Sequence, residues 1–433
     1  MSQSPAADLA TPSLERSVRW QRMLLLILLS ATCLNYANRF TFTQTSPLIK
    51  QAFDLDNEQY GAVESAFSTG FAMAPLVFGT LADVISVRWL YPAVVLAWSA
   101  AGLSTVLVGD YTGLLLARFL LGFFEAGHWA CALRTTQRVF SPAQRTKANS
   151  VLQGGASLGA VAVPLLVILL AIEQTANWQS VFWIVGVMGL PWAIAWLATV
   201  SEADVNRPVV IVGEDPGGRP TLAAAVPFTR IIRSRRFLVL LIVVLSINVC
   251  WHYIRVWLPL TLNEDHGYSL AAIQYFTAAY YSATFVGCLA AGWLTTWLAD
   301  TGWHVHRARL AVFLLAGLLT SLSVVSAFAP AGALLLGSLL VVGFGSLGLF
   351  PVYYSLVQEI SAQHQGKVGG TLGVAAWAVL IPIHWAVGWA IDQNPANRPY
   401  VLAGVGLLPL FAFAVLAGGW NARRTANPAR ESA

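Results

Sequence analysis

Between Tyr111 and Phe140 runs an apolar stretch long enough to cross a bilayer, and inside it stand Arg118, Glu125 and His128. A charge at membrane depth costs at least ~2.5 kcal/mol, so two charges in one span require a partner or a wet cavity. Arg118, Gly122, Glu125 and Trp129 follow the spacing i, i+4, i+7, i+11 and share one stripe of a helix. The arginine and the glutamate are two turns apart, roughly 10 Å at 1.5 Å per residue, too far to pair within the helix. Each is free to meet a ligand or another helix. A cationic anchor beside a titratable carboxylate is the chemistry of a pathway for anions; the alternative is that neighbouring helices satisfy both groups and the pair only locks a bundle.

Two further arginines reach a similar depth. Arg39 closes the sequence Asn35-Tyr36-Ala37-Asn38-Arg39, and Arg255 lies within Trp251-His252-Tyr253-Ile254-Arg255-Val256-Trp257-Leu258-Pro259. Facing one cavity, the three would form an electropositive vestibule suited to carboxylates, which guanidinium groups bind bidentately. For Arg255 the competing reading is snorkelling to the interface. Among the acids within apolar runs, Glu125 and Glu64 are the candidate proton-coupling groups. Glu125 comes first, because burial raises a carboxyl pKa, a nearby Arg lowers it, and a bound anion alters that balance. Glu64 serves equally as a vestibule wall or as the partner of an arginine. A sugar-like ligand also needs flat apolar faces beside polar groups, so Tyr36, Trp129, Gln153, His252 and Tyr353 join Arg39, Arg118 and Arg255 as candidate substrate contacts. His128 and His384 read more readily as packing residues. The chain carries no metal-ligand spacing, no Lys-bearing phosphate loop and no hydrolase nucleophile motif, so neither an enzyme nor a cofactor is expected.

The elements that hold these residues are apolar. Hydrophobic residues make up 57% of the 433 and charged ones 10%, against ~25% charged in soluble domains. The expectation is an all-α polytopic membrane protein with twelve transmembrane helices in two six-helix halves. Runs of about 20 residues fall near 22–44, 59–80, 89–108, 112–139, 148–171, 178–200, 237–262, 271–298, 308–328, 331–358, 366–390 and 399–420. The division reads as an amino-terminal half over 1–200, a cytoplasmic linker over 201–236 rich in Gly, Pro and charge, and a carboxy-terminal half over 237–433. Two such halves suggest repeats rocking about a central site. Of the 25 Lys and Arg, Arg39, Arg118 and Arg255 lie within spans, and only Lys50 and Arg398 fall in loops on the side opposite the termini. That bias places both termini in the cytoplasm, in a bacterial inner or plasma membrane. It also accounts for the net charge of +5 without nucleic acid. The first helix lacks a signal-peptide cleavage pattern and reads as uncleaved. Cys33, Cys131, Cys250 and Cys288 all fall in spans and read as packing residues. The expected partners are a small anionic substrate and the lipid bilayer, with the chain a monomer.

The sequence resembles the major facilitator superfamily, and within it the anion:cation symporters that carry hexuronates, aldonates and related organic anions. Residues 35–39 are similar to that family's N-Y-x-D-R. The run Arg118-Phe119-Leu120-Leu121-Gly122-Phe123-Phe124-Glu125-Ala126-Gly127-His128-Trp129 resembles its R-x-L-L-G-x-x-E-A-G-x-W, the most specific match. Trp257-Leu258-Pro259 fits its W-L-P, Gly154, Gly159, Ala160 and Pro164 fit its fifth-span glycine pattern, and Gly79 to Arg88 resembles the G-x-L-A-D signature. The resemblance implies proton-driven uptake of a sugar acid, with Arg39 and Arg118 at the carboxylate site, Glu125 as proton carrier, and Gly79, Asp83 and Arg88 as gating residues. Asn38 stands where family members often carry Asp, so one coupling carboxylate is missing and Na⁺ stays open beside H⁺. Val84 stands where a basic residue follows Asp83, with Arg88 as its substitute. Competing readings are a proton-coupled efflux antiporter, against which the fifth span lacks G-x-x-x-G-P, and a transporter-like membrane sensor, for which the linker offers little output surface.

Overall fold

The computed structural model describes residues 17–140, 142–170, 172–175, 177–205, 227–361 and 365–420. Among these the chain forms twelve long helical rods. In order they are α1 (Val18–Gln44), α2 (Asn57–Val84), α3 (Val87–Ser104), α4 (Tyr111–Val139), α5 (Pro142–Leu169), α6 (Gln179–Thr199), α7 (Arg235–Leu260), α8 (Leu270–Asp300), α9 (Val305–Phe328), α10 (Ala333–Gln358), α11 (Lys367–Gln393) and α12 (Asn397–Gly419). Ten are long and apolar enough by themselves to cross a membrane; the others are α3 and α5, whose apolar portion Gly154–Leu169 is shorter. Every expected span has its helix, with ends displaced by a few residues. The linker expected over 201–236 falls largely outside the described residues; its flanks are the short helices Glu202–Val205 and Phe228–Ile232.

Local chemistry explains where the site-bearing rods begin and bend. Asp110 accepts the Gly113 N–H at 2.6 Å and starts α4, and Asp56 with Gln59 forms a reciprocal capping box at the head of α2. Two rods break at the residue four before a proline. Pro191 has no N–H for the Val187 carbonyl, where the first segment of α6 ends, and Pro382 has none for Ala378, where the first segment of α11 ends. After α7 the backbone continues as a π turn, Thr261–Asp265, which projects Glu264 and Asp265 beyond the helix.

Small residues let the site helices approach. A Cβ on Gly122 of α4 would lie 2.1 Å from the Phe67 carbonyl oxygen of α2, and one on Gly159 of α5 would lie 2.4 Å from the Cys33 carbonyl oxygen of α1. The Gly159 contact is the close approach that the glycine pattern of the fifth span foretells. One contiguous apolar core fills the first six rods and runs on into Tyr253, Trp257, Ile273, Tyr280 and Val387 of the second six. A separate cluster around Val243, Leu349, Leu356 and Leu416 occupies the opposite end of the second half. The halves are therefore knit at one end, the end that the charge pattern assigns to the outside and that is called outer below. All four cysteines are free thiols.

Candidate functional site

Five ionisable side chains from four helices meet between the halves: Arg39 of α1, Glu64 of α2, Arg118 and Glu125 of α4, and Arg255 of α7. They are 3%, 0%, 0%, 0% and 2% exposed. Arg39 donates from Nε to Glu125 Oε2 at 3.0 Å and from Nη2 to Asn35 Oδ1 at 3.4 Å. Asn35 in turn donates to the Glu125 backbone carbonyl at 3.1 Å. Arg118 Nη2 lies 2.8 Å from Glu64 Oε1, and Arg255 Nη2 lies 3.5 Å from Glu64 Oε2. The two charges of α4 thus find partners on other helices, Arg118 outward on α2 and Glu125 inward on α1, as their separation along the helix requires. Burial of Arg255 overturns the snorkelling reading.

Pairing is incomplete. Arg118 Nε and Nη1, Arg255 Nη1 and Glu125 Oε1 are buried without a hydrogen-bond partner, a condition that costs about 1–3 kcal/mol per group and more when charged. Three guanidinium groups against two carboxylates leave a formal charge of +1. The cluster can take one more anion, and its spare N–H groups are arranged to donate to it.

Aromatic rings wall the cluster. The Arg39 guanidinium lies 4.8 Å from the Tyr36 ring centroid, 4.7 Å from Phe71 and 5.2 Å from Trp377. Arg118 lies 4.3 Å from Phe42 and 4.6 Å from Phe67. Such contacts favour a cation by about 0.5–2 kcal/mol each. His252 accepts from Arg255 Nε at 3.2 Å and packs 4.5 Å from Trp377. Trp377 of α11 also stacks on Phe71 at 4.0 Å, so one ring touches both halves. Sequence reasoning did not place it in the site, although a lone Trp within Gly369-Gly370-Thr371-Leu372-Gly373-Val374-Ala375-Ala376-Trp377 was a usable signal.

Of the expected substrate contacts, Arg39, Arg118, Arg255, Tyr36 and His252 come together here. Trp129 lies elsewhere, edge-on to His128 at 5.1 Å, and Tyr353 sits in the inner apolar cluster of the second half. The side chains of Gln153 and Asp83 fall outside the described residues. His128 bridges Thr32 Oγ1 at 3.1 Å and Tyr91 OH at 2.8 Å, a packing position. Asn38 donates to its own helix at the Leu34 carbonyl and faces Gly102 of α3, away from the cluster. Of the expected gating residues, Arg88 donates to the Val200 carbonyl at the end of α6, and Gly79 has open space where a side chain would stand. Among the described residues no group of His, Cys, Asp and Glu is arranged to hold a metal ion.

Outward of the cluster a polar network crosses between the halves. Lys50 donates to Glu264 at 2.7 Å and to Asn57 Oδ1 at 2.6 Å. Arg398 meets Glu264 at 2.6 Å, Asp265 at 2.7 Å and Asn57 at 3.2 Å. Asp392 of α11 accepts from the backbone N–H groups of Asn57 and Glu58, capping α2 with an acid from the other half. The two basic residues of the outer loops are both in this network.

The Major Facilitator Superfamily model matches residues 28–383, which include all five charges of the cluster. The chain belongs to the Major Facilitator Superfamily. It is a transporter and not an enzyme, and it is an integral membrane protein. This superfamily member is 24% identical over 409 residues to the hexuronate transporter of Escherichia coli K12, covering 92% of this chain and 90% of that one. It is 26% identical over 415 residues to a probable sulfoacetate transporter of Cupriavidus necator, covering 93% and 95%. A probable galactarate/D-glucarate transporter of Bacillus subtilis is 24% identical over 425 residues, covering 93% and 92%. In fold it matches a bacterial homologue of the human lysosomal transporter Spinster, solved inward-facing and unoccupied, with a TM-score of 0.71 at 17% identity over 93% of this chain and 95% of that one.

Proposed function

We propose that this superfamily member imports a monocarboxylate sugar acid, a hexuronate or aldonate, by proton symport with alternating access. The observation that carries the reading is the buried cluster of three arginines and two glutamates with unpartnered guanidinium N–H groups. The relative named for hexuronates supports the same cargo class. Arg39, Arg118 and Arg255 provide the seat for the cargo carboxylate, and Tyr36, His252 and Trp377 provide its walls.

Coupling follows from the Arg39–Glu125 pair. Protonated Glu125 no longer neutralises Arg39, and the guanidinium then takes the cargo carboxylate, so proton and anion favour each other's binding. Once both are bound, the cargo carboxylate has replaced Glu125 as the partner of Arg39 and the halves rock. Release to the cytoplasm frees the proton, and Glu125 returns to Arg39. The protein works as a monomer in the bacterial inner membrane with both termini cytoplasmic, and its only co-substrate is the proton.

The test is uptake of labelled glucuronate and galacturonate into proteoliposomes with and without an inward proton gradient. Gradient-stimulated accumulation is expected, and Glu125→Gln should bind the anion yet fail to concentrate it. Normal accumulation by Glu125→Gln would remove that residue from coupling. Saturable uptake indifferent to the gradient would replace the proton with another ion.

A further inference from the structure

Glu64 stands apart from Glu125. Its two oxygens lie between arginines of opposite halves, Oε1 at 2.8 Å from Arg118 Nη2 of α4 and Oε2 at 3.5 Å from Arg255 Nη2 of α7. A carboxylate held between two convergent guanidinium groups is the pose that a cargo carboxylate takes in an arginine seat. All three side chains are buried, and unpartnered nitrogens of Arg118 and Arg255 surround the seat.

We propose that Glu64 is a built-in anion: it fills the seat that a second cargo carboxylate would occupy and so restricts the transporter to monoanions. This rests on the reading that the cluster binds an organic anion. Occupancy of the seat decides the selectivity. With Glu64 in place the space between Arg118 and Arg255 is already filled, and one cargo carboxylate is held by Arg39, freed by protonation of Glu125, and by the spare nitrogens of Arg118 and Arg255. The second carboxylate of a dianion would have to compete with a tethered carboxylate that never dissociates. Removing the charge of Glu64 opens the seat. His384 and Tyr60, the other titratable groups around Glu64, are left unchanged in the variants used below.

The test measures affinity of the purified full chain for glucuronate, with one carboxylate, and galactarate, with two, at a single pH. Wild-type protein is expected to prefer glucuronate by at least about tenfold, and Glu64→Gln should shrink or invert that ratio by at least about tenfold. The double variant Glu64→Gln with Arg255→Gln removes one arginine of the opened seat and should recover the wild-type preference. Equal or tighter binding of galactarate by wild-type protein overturns the proposal without any variant, so it stays testable if Glu64→Gln fails to fold. An unchanged ratio in folded Glu64→Gln also overturns it. Binding of neither anion by wild-type protein removes the reading beneath it and the proposal together, whereas tight galactarate binding removes the proposal alone.

Discussion

At the residue scale, Arg118 shows why charge type is not interchangeable here. Its guanidinium lies between Phe42 and Phe67 while one nitrogen holds Glu64, leaving two nitrogens for a further anion. A lysine would keep the charge but lose the planar fork and the ring contacts. Arg118→Lys should therefore weaken glucuronate binding at least about tenfold, a loss of ~1.4 kcal/mol, read by calorimetry on the purified protein. Unchanged affinity would remove Arg118 from the cargo seat. The five clustered charges were legible in the sequence because each is too costly at membrane depth to stand there without a purpose. Their pairing was not legible. Spacing puts Arg118 and Glu125 on one face but says nothing of which helix lies opposite, so the choice of Glu64 for one and Arg39 for the other waits on tertiary packing. Tyr353 misled for the same reason: a tyrosine in an apolar run looks the same whether it walls a site or, as here, fills an apolar core.

At the element scale, what the helices do is bring backbones close enough for short-range charge pairing. Gly122 lies between Arg118 and Glu125 along α4, and its missing side chain lets α4 rest on the Phe67 carbonyl of α2. A methyl group would meet that oxygen at 2.1 Å, and because the obstacle is backbone it cannot rotate aside. Gly122→Ala should cost about 1–3 kcal/mol, the usual penalty for overpacking, seen as a lower thermal midpoint in detergent. Since α2 carries Glu64, the same variant should weaken anion binding as well. A wild-type midpoint would mean that α2 and α4 part without cost. The helices themselves were easy to read from apolar run length, and their breaks follow from Pro191 and Pro382, whose missing N–H groups act four residues upstream. The π turn after Leu260 had no comparable signal, because no proline or glycine within it announces a change of winding.

At the scale of the whole molecule, the outer network is what distinguishes the observed arrangement from its alternative. Glu264 receives Lys50 from the first half and Arg398 from the second, so one carboxylate holds two cations that would otherwise repel across the interface. Arg398 is 3% exposed, which makes its charge dependent on protein partners and not on water. Removing one partner of a buried pair costs about 3–5 kcal/mol; here Asp265 and Asn57 stay with Arg398, so the loss falls below that range. A smaller loss is still enough to matter, because a bias of about 1.4 kcal/mol moves a two-state ratio tenfold. Glu264→Gln should therefore raise the share of molecules open on the outer side while leaving the inner cluster intact. Spin labels at Gln51 and Gln393, both exposed at the outer end of opposite halves, report it directly: the variant should gain a longer-distance population that wild-type protein lacks. High salt should move wild-type protein in the same direction as the substitution, because Glu264 and Asp265 are exposed and their pairs are open to screening. An identical distance distribution in the variant would mean that the apolar contacts of α2 with α11, and not the ion pairs, hold the outer end shut.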